Sequence, residues 1–262
     1  MRADADTATT GSEASRPRPA AGERVARNRA RRSDEFLRAA LAIVVDHGFE
    51  ALTMARLAQE VDTAIGSVYR YYQSKDHLLL AVQTRAIEKL TATCVASVPP
   101  VVEVVIERRP DDDRTLVELV VLGRWFCAAA DVLPEEVRLL QMVSARRASA
   151  LGPGGGDSLL PTVLAFLAPI VERIAEAAEA GTITDGVALG RAVLWLTAIG
   201  GVLEADDLER YLPDVLGGGR LARQLSGDLL AGWGADRASL ARIDAAVDEV
   251  VAAESLVRPP GG

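Results

Sequence analysis

The strongest constraint on this fold is a series of short helical segments between residues 33 and 80, each with its own start and stop signals. Ser33 is a predicted N-cap, because a serine hydroxyl can accept a hydrogen bond from a free backbone N–H of the first turn. Phe36, Ala40 and Val44 then recur every four residues and form one apolar stripe. Gly48 predicts the end of this first helix, since glycine readily adopts the left-handed conformation of a C-terminal cap.

A second helix is predicted to start at Thr53, with Leu52 and Leu57 placed as a hydrophobic staple. A tight turn at residues 62–64 leads into a short third helix, whose cap could be Asp62 or Thr63. A fourth helix is capped by Ser74 and predicted to end near residues 97–99. Two short helices joined by a turn of about three residues are typical of a helix-turn-helix, which places its second helix in the DNA major groove.

The chemistry of the predicted third helix favours contact with DNA. Five residues are expected to pack inward: Leu57, Ala58, Val61, Val68 and Tyr72. Six residues are expected to face outward: Ile65, Gly66, Ser67, Tyr69, Arg70 and Tyr71. Hydroxyl groups can bond to phosphates or base edges, and arginine can neutralise a phosphate or read guanine. Thr53 and Lys75 lie at helix starts, where free N–H groups attract phosphate.

The run GSVYRYYQSK at residues 66–75, after a helix that starts at a threonine, resembles the signature of TetR-family regulators. The resemblance covers roughly 50 residues and implies a three-helix DNA-binding domain. It also implies which residues face DNA: Thr53, Ile65, Gly66, Ser67, Tyr69, Arg70, Tyr71 and Lys75. The turn departs from the family pattern, with Asp62 in place of a common glycine, Thr63 in place of an apolar residue and Ala64 in place of a common serine.

The net charge of −8 hides an asymmetry along the chain. Residues 1–90 carry 14 basic and 12 acidic side chains, whereas the remainder carries 15 basic and 25 acidic ones. Residues 16–32 hold seven arginines and one acid. We expect residues 1–31 to form a disordered basic tail, because they lack apolar periodicity. Such a tail could be solubilising only, or it could contact phosphates or the minor groove.

Beyond the fourth helix, helical stretches separated by glycine and proline predict an all-α architecture. The expected organisation is a tail at 1–31, a helix-turn-helix domain at 32–80 and a helical domain at 81–262. By resemblance, the last of these dimerises through residues 185–204 and 219–233 and binds an unidentified small-molecule effector. Candidate walls of the effector pocket are Trp125, Phe126, Met142, Phe166 and Trp195, although large apolar residues at helical spacing can equally be ordinary core.

Other functional classes find little support in the sequence. Cys94, Cys127, His47 and His77 have no catalytic or metal-ligand spacing, so we expect no catalytic residues, no metal and no cofactor. No signal-peptide pattern and no uncharged apolar run of membrane-spanning length are present, which favours a cytoplasmic protein without a membrane partner. The sequence therefore predicts a homodimeric repressor that a ligand releases from an inverted repeat in double-stranded DNA. The alternatives are a ligand-independent DNA-binding protein or an activator, and then an enzyme.

Overall fold

The computed structural model describes residues 21–146, 155–203, 217–251 and 256–257, and this part of the chain is all-helical, as predicted. The helices of the amino-terminal region are α1 (Ala21–His47), α2 (Met54–Glu60), α3 (Ile65–Tyr69) and the long α4 (Lys75–Arg108). The helices of the body are α5 (Arg114–Val132), α6 (Pro134–Arg146), α7 (Gly155–Glu179), α8 (Ala188–Leu203), α9 (Gly218–Gly232) and α10 (Arg237–Val251). A single 3₁₀ turn, Phe49–Ala51, joins α1 to α2.

The start of the first helix corrects the prediction. Helix α1 begins at Ala21, so residues 21–31 are helical instead of belonging to a disordered tail. Residues 1–20 of that predicted tail lie outside the described part of the chain. Alanine and arginine are strong helix formers, and extending an existing helix costs far less than nucleating one. Ser33 therefore lies inside α1, where its hydroxyl shares a 2.8 Å hydrogen bond with the Tyr72 hydroxyl instead of capping the helix.

The other local signals of this region are confirmed. Gly48 has a φ of 82°, which ends α1 as predicted. The Thr53 hydroxyl accepts a 3.0 Å hydrogen bond from the Arg56 N–H, and the Ser74 hydroxyl accepts one of 3.1 Å from the His77 N–H. Each side chain thus satisfies an N–H that the first helical turn leaves free.

The turn between α2 and α3 shows which residue is the N-cap of α3. Ala64 is the N-cap residue of α3 and makes no side-chain hydrogen bond, so neither Asp62 nor Thr63 caps this helix. Asp62 instead has a φ of 45°, in the left-handed region where aspartate is better tolerated than most residues. The departure from the family pattern is therefore accommodated by the backbone of the turn.

Helix α4 joins the two predicted domains. It packs on α1 at one end and on α5, α6, α7 and α10 along the rest, so the predicted boundary at residue 80 falls inside one continuous helix. The helix also continues through Pro99 and Pro100, past its predicted end. Both prolines are exposed, whereas Val98 and the valines at 101, 102 and 105 are buried against neighbouring helices. Their burial offsets the hydrogen bonds that the prolines remove.

The body is arranged around α5, which contacts all five other body helices and α4. Gly123 allows the closest approach, because a Cβ at this position would overlap the Ser226 hydroxyl and lie 2.9 Å from the Trp195 ring. The Trp195 indole N–H donates a buried 3.0 Å hydrogen bond to the same hydroxyl. One small residue on α5 therefore lets α8 and α9 pack tightly against the centre of the body.

By length and hydropathy alone, α4 and residues 158–179 of α7 could span a membrane. Both helices instead pack on several others in the same chain, as core helices do.

Helix α10 is held to this core by ion pairs: Arg124 of α5, which is buried, bonds to Asp244 at 2.6 Å and to Asp248. Arg242 bonds to the buried Asp112 at 2.8 Å.

Candidate DNA-binding site and effector cavity

The helix-turn-helix is built on an apolar core shared by α1, α2 and α3. Leu57, Ala58, Val68 and Tyr72 are buried, as predicted, and Val61 is half-buried. The Tyr72 ring meets Phe36 of α1 edge-on, with 6.5 Å between ring centroids. Burial raises the pKa of the Tyr72 hydroxyl, a shift that the hydrogen bond to Ser33 partly opposes. The packing fixes the orientation of α3 relative to α1.

The opposite side of α3 carries most of the predicted contact residues. Ile65 and Tyr69 are large apolar side chains that remain 45% and 49% exposed. Gly66 and Arg70 are also exposed, and Ser67 is half-buried. The Arg70 guanidinium donates a 3.1 Å hydrogen bond to the Ser67 hydroxyl. Exposed aromatic, hydroxyl and cationic groups on one short helix can bond to base edges and phosphates.

Gly66 is the most informative position on this face. A Cβ built at Gly66 would meet no atom within 4 Å, so packing within the chain does not require glycine. Its φ is also not positive, so the backbone does not require glycine either. Without a side chain at this position, another molecule can approach the α3 backbone closely.

The remaining predicted contact residues lie around this face. Tyr71 differs from the prediction in being half-buried, because its ring packs edge-on against Phe36 at a centroid distance of 5.2 Å. Thr53 is exposed at the start of α2, and Lys75 lies at the start of α4 with its ammonium 3.7 Å from a Glu50 carboxylate oxygen. That glutamate is almost fully exposed, so the pair is weak and leaves Lys75 free to exchange partners.

Sequence reasoning missed one group beside this surface. Arg29 of α1 lies over the Tyr71 ring at 5.7 Å, and Arg32 lies over the Phe36 ring at 5.1 Å. Residues 21–32 were predicted as tail or domain edge, so their placement against the aromatic rings could not be expected. The arginine-rich composition of residues 16–32 was the only available signal.

The predicted effector-pocket residues divide between two neighbouring cavities. Phe126 of α5 and Phe166 of α7 line a cavity of about 290 Å³ whose other walls come from α6, α7 and α8. Trp125 and Trp195 line a much smaller cavity of about 10 Å³, which shares Phe126 as a wall. Met142 lies on α6 and lines neither cavity. The larger cavity is mainly apolar, with Gln141 and Thr197 as its polar groups.

Trp125 has an unusual feature for a core residue. Its side chain is buried, yet its indole N–H has no hydrogen-bond acceptor among the described residues. A buried donor without an acceptor costs about 1–3 kcal/mol. The cavity beside it is at the lower limit for one water and offers few polar partners.

The described residues contain no group of three or more metal-binding side chains. Cys94 and Cys127 are buried thiols, and burial raises their pKa values to about 12 and about 11. Buried thiols with raised pKa values are poor nucleophiles. Fold and surface together define a helix-turn-helix protein with a large helical second domain.

Comparison with known proteins relates the helix-turn-helix to one family. Residues 36–82 match the family of bacterial regulatory proteins known as the tetR family. The HTH-type transcriptional repressor KstR of Mycolicibacterium smegmatis is 41% identical over 61 residues, which are 23% of this chain and 30% of that protein. KstR of Mycobacterium tuberculosis is 38% identical over 61 residues, or 28% of its length. The chain thus matches less than a third of these repressors.

Solved structures extend the likeness to the whole fold. A tetR-family regulatory protein from Rhodococcus RHA1 has a TM-score of 0.56 at 19% identity, covering 78% of this chain and 97% of that one. FadR from Bacillus subtilis, solved with stearoyl-CoA, has a TM-score of 0.53 at 12% identity and covers 76% of this chain and 97% of that one. AibR, solved with isovaleryl coenzyme A and operator DNA, has a TM-score of 0.54 at 18% identity and covers 76% of this chain and 98% of that one. Residues 36–82 thus match the tetR family, and the described fold is similar to solved structures of regulators from it.

Proposed function

We propose that this protein is a homodimeric transcriptional repressor that a small-molecule ligand releases from an inverted-repeat operator. The observation that carries the proposal is the exposed face of α3, where Ile65, Tyr69 and Arg70 surround a glycine that the fold itself does not need. The face lies within residues 36–82, the segment that matches the TetR family. Thr53 and Lys75 add phosphate contacts at the starts of the flanking helices.

Two copies are needed because one short recognition helix reads few base pairs. A symmetric dimer places two such helices about 34–36 Å apart, in successive major grooves. Helix α8 supports this proposal with Leu189, Val193 and Leu194, which are 43%, 46% and 53% exposed. Helix α9 adds the half-buried Leu221 and Leu225. Exposed apolar residues on neighbouring helices favour contact with a second copy through residues 185–204 and 219–233.

The effector would occupy the cavity of about 290 Å³, which is of the size of small-ligand pockets. Its apolar walls favour an aliphatic or mixed ligand, and the CoA thioesters bound by FadR and AibR are the first class to test. Among the predicted wall residues, Phe126 and Phe166 would contact the ligand. The unsatisfied N–H of Trp125 would donate a hydrogen bond to the ligand if the ligand opened the adjoining small cavity.

The signal would pass to the DNA-binding domain through α6. This helix contributes Leu140 and Gln141 to the cavity and also packs on α1 and α4. Near its start, the buried Glu136 accepts a 2.5 Å hydrogen bond from Lys89 of α4. A ligand that displaces α6 would move α4 and α1, and with them the spacing of the two recognition helices. Release then follows from the different affinities of the two states for DNA.

Binding to the upstream region of its own gene, measured by footprinting and gel shift, tests the DNA part of the proposal. Tyr69→Ala and Lys75→Ala should weaken binding, whereas a substitution of the exposed Arg138 on α6 should not. Binding of both variants with the affinity of the parent would contradict the site.

A thermal-shift screen with acyl-CoA compounds, followed by gel shift, tests ligand release. A compound that stabilises the protein and dissolves the DNA complex supports a ligand-released repressor. A compound that stabilises the DNA complex instead favours an activator or a co-repressed regulator, and DNA binding that no bound compound changes favours a ligand-independent protein. We also propose a cytoplasmic location, where the protein can reach DNA.

A further inference from the structure

The first three turns of α1 form a strongly basic surface that the helix-turn-helix does not include. Residues 21–32, AGERVARNRARR, contain five arginines and one glutamate. All of them are helical, and residues 22–31 are exposed throughout. We call this segment the α1 extension. At 1.5 Å per residue it is about 18 Å long.

The carboxyl-terminal end of the α1 extension lies directly beside the proposed DNA-contacting face. Arg29 lies over the ring of Tyr71, two residues after the end of α3. Arg32 lies over Phe36 and bonds to Glu35 at 2.7 Å. Cation–π contacts of this kind are favourable by about 0.5–1 kcal/mol at exposed sites. They hold the carboxyl-terminal end of the extension against the rings of Phe36 and Tyr71 in the DNA-binding domain.

The other three arginines of the extension have no such partner. Arg24, Arg27 and Arg31 are spaced three and four residues apart, so they lie along one side of the helix. None of the three forms an ion pair with any described residue, although the protein as a whole has an excess of acids. Unpaired like charges at this spacing repel one another and destabilise a helix slightly. A polyanion that neutralises them removes this cost.

From this geometry, and resting on the proposed binding to DNA, we propose that the α1 extension is a second phosphate-binding element. It lengthens the contact along the DNA backbone beyond the half-site that α3 reads, through Arg24, Arg27 and Arg31. The contact is electrostatic and independent of base sequence, because guanidinium–phosphate pairs position a protein without reading bases. It therefore raises affinity for every duplex by a similar factor.

Salt dependence measures this contribution directly. Each neutralised phosphate adds about 0.9 to the slope of log K against log salt concentration. The full-length parent and the variant Arg24→Gln/Arg27→Gln/Arg31→Gln would be titrated with a 40-base-pair random duplex by fluorescence anisotropy, between about 50 and 200 mM salt. Loss of three contacts from each of two subunits lowers the slope by up to about 5. A decrease of at least about 0.9, or one contact, supports the proposal, and a smaller decrease overturns it.

Two controls separate the contact from other effects. The triple Arg→Lys variant keeps the charges and should keep the slope, and circular dichroism should show unchanged helix content in both triple variants. Arg108→Gln/Arg138→Gln removes exposed charges on α4 and α6, and an equal loss of slope in that variant would assign the effect to net charge and overturn the proposal. If the parent binds no duplex at low salt, the proposed function fails as well. If the parent binds and the Gln variant keeps its slope, only the α1 extension is wrong.

Discussion

Replacing Gly66 by alanine should separate the stability of this protein from its affinity for DNA. The position is helical, its φ is not positive and a Cβ there meets no atom within 4 Å. Removing the conformational freedom that glycine has in the unfolded chain stabilises a helix interior by about 0.5–1 kcal/mol. Because α3 has only five residues, we expect the lower end of this range. For a chain of this size, that gain raises the Tm by about 1–2 °C.

The same methyl group should weaken DNA binding. If the α3 backbone approaches the duplex at Gly66, an added Cβ forces the helix outward in both half-sites of a dimer. We expect affinity to fall at least tenfold, which corresponds to about 1.4 kcal/mol. Differential scanning calorimetry measures the first effect, and a gel shift or anisotropy titration at fixed salt measures the second.

Gly227→Ala is the matched control for this experiment. Gly227 is also helical, without a positive φ and without an atom within 4 Å of a built Cβ. It lies on α9 and faces the cleft between α5 and α10, on the opposite side of the helix from Leu221 and Leu225 of the proposed dimer contact. Gly227→Ala should gain a similar or larger amount of stability, and its affinity for DNA should stay within twofold of the parent's affinity. Parent-like DNA affinity in Gly66→Ala would refute the reason given for the glycine, whatever its stability.

Three further predictions concern the body. Val163→Trp fills the effector cavity from α7, outside the proposed dimer contact, so it should abolish stabilisation by a cavity ligand in thermal-shift assays and leave DNA binding intact. Retained ligand stabilisation would place the effector elsewhere. Glu136→Gln removes the ion pair with the partly exposed Lys89, so it should lower the free energy of unfolding in urea by about 1–2 kcal/mol. It should also weaken ligand-induced release from DNA. Unchanged release would exclude α6 as the link between the effector cavity and the helix-turn-helix. Because burial raises the pKa values of Cys94 and Cys127, neither thiol should react with Ellman's reagent at pH 8 until the protein unfolds. Rapid labelling of the native protein would contradict this burial. The folded pKa values of the two thiols exceed those of the unfolded chain, so their contribution to stability is complete below about pH 9 and is lost as the pH rises toward 11–12.

The helix-turn-helix could be recognised from the sequence because its signals are local. Caps, a staple and a C-terminal glycine act within one or two helical turns, so Thr53, Ser74 and Gly48 have the predicted roles. The alternation of buried and exposed positions on α3 follows from helical periodicity for the same reason. The DNA contacts themselves remain predictions.

Signals that depend on a distant partner misled the sequence reading. Ser33 looked like a cap, but its partner is the Tyr72 hydroxyl 39 residues away. Tyr71 looked fully outward, but its ring packs on Phe36, and Arg29 packs on that ring in turn. Neither contact has a local pattern, because it depends on the angle between α1 and α3.

The sequence by itself determined that the described part of this chain is all-helical and where its helix-turn-helix lies. It also determined that basic charge precedes this motif and acidic charge follows it. Hydrogen bonding and helical periodicity within a segment are enough to specify these features. Only the tertiary structure decided that the basic segment continues α1, that α4 joins both domains and that α5 to α8 enclose an apolar cavity. These features depend on how helices far apart in sequence pack against one another, and the pattern of a single segment does not contain that information.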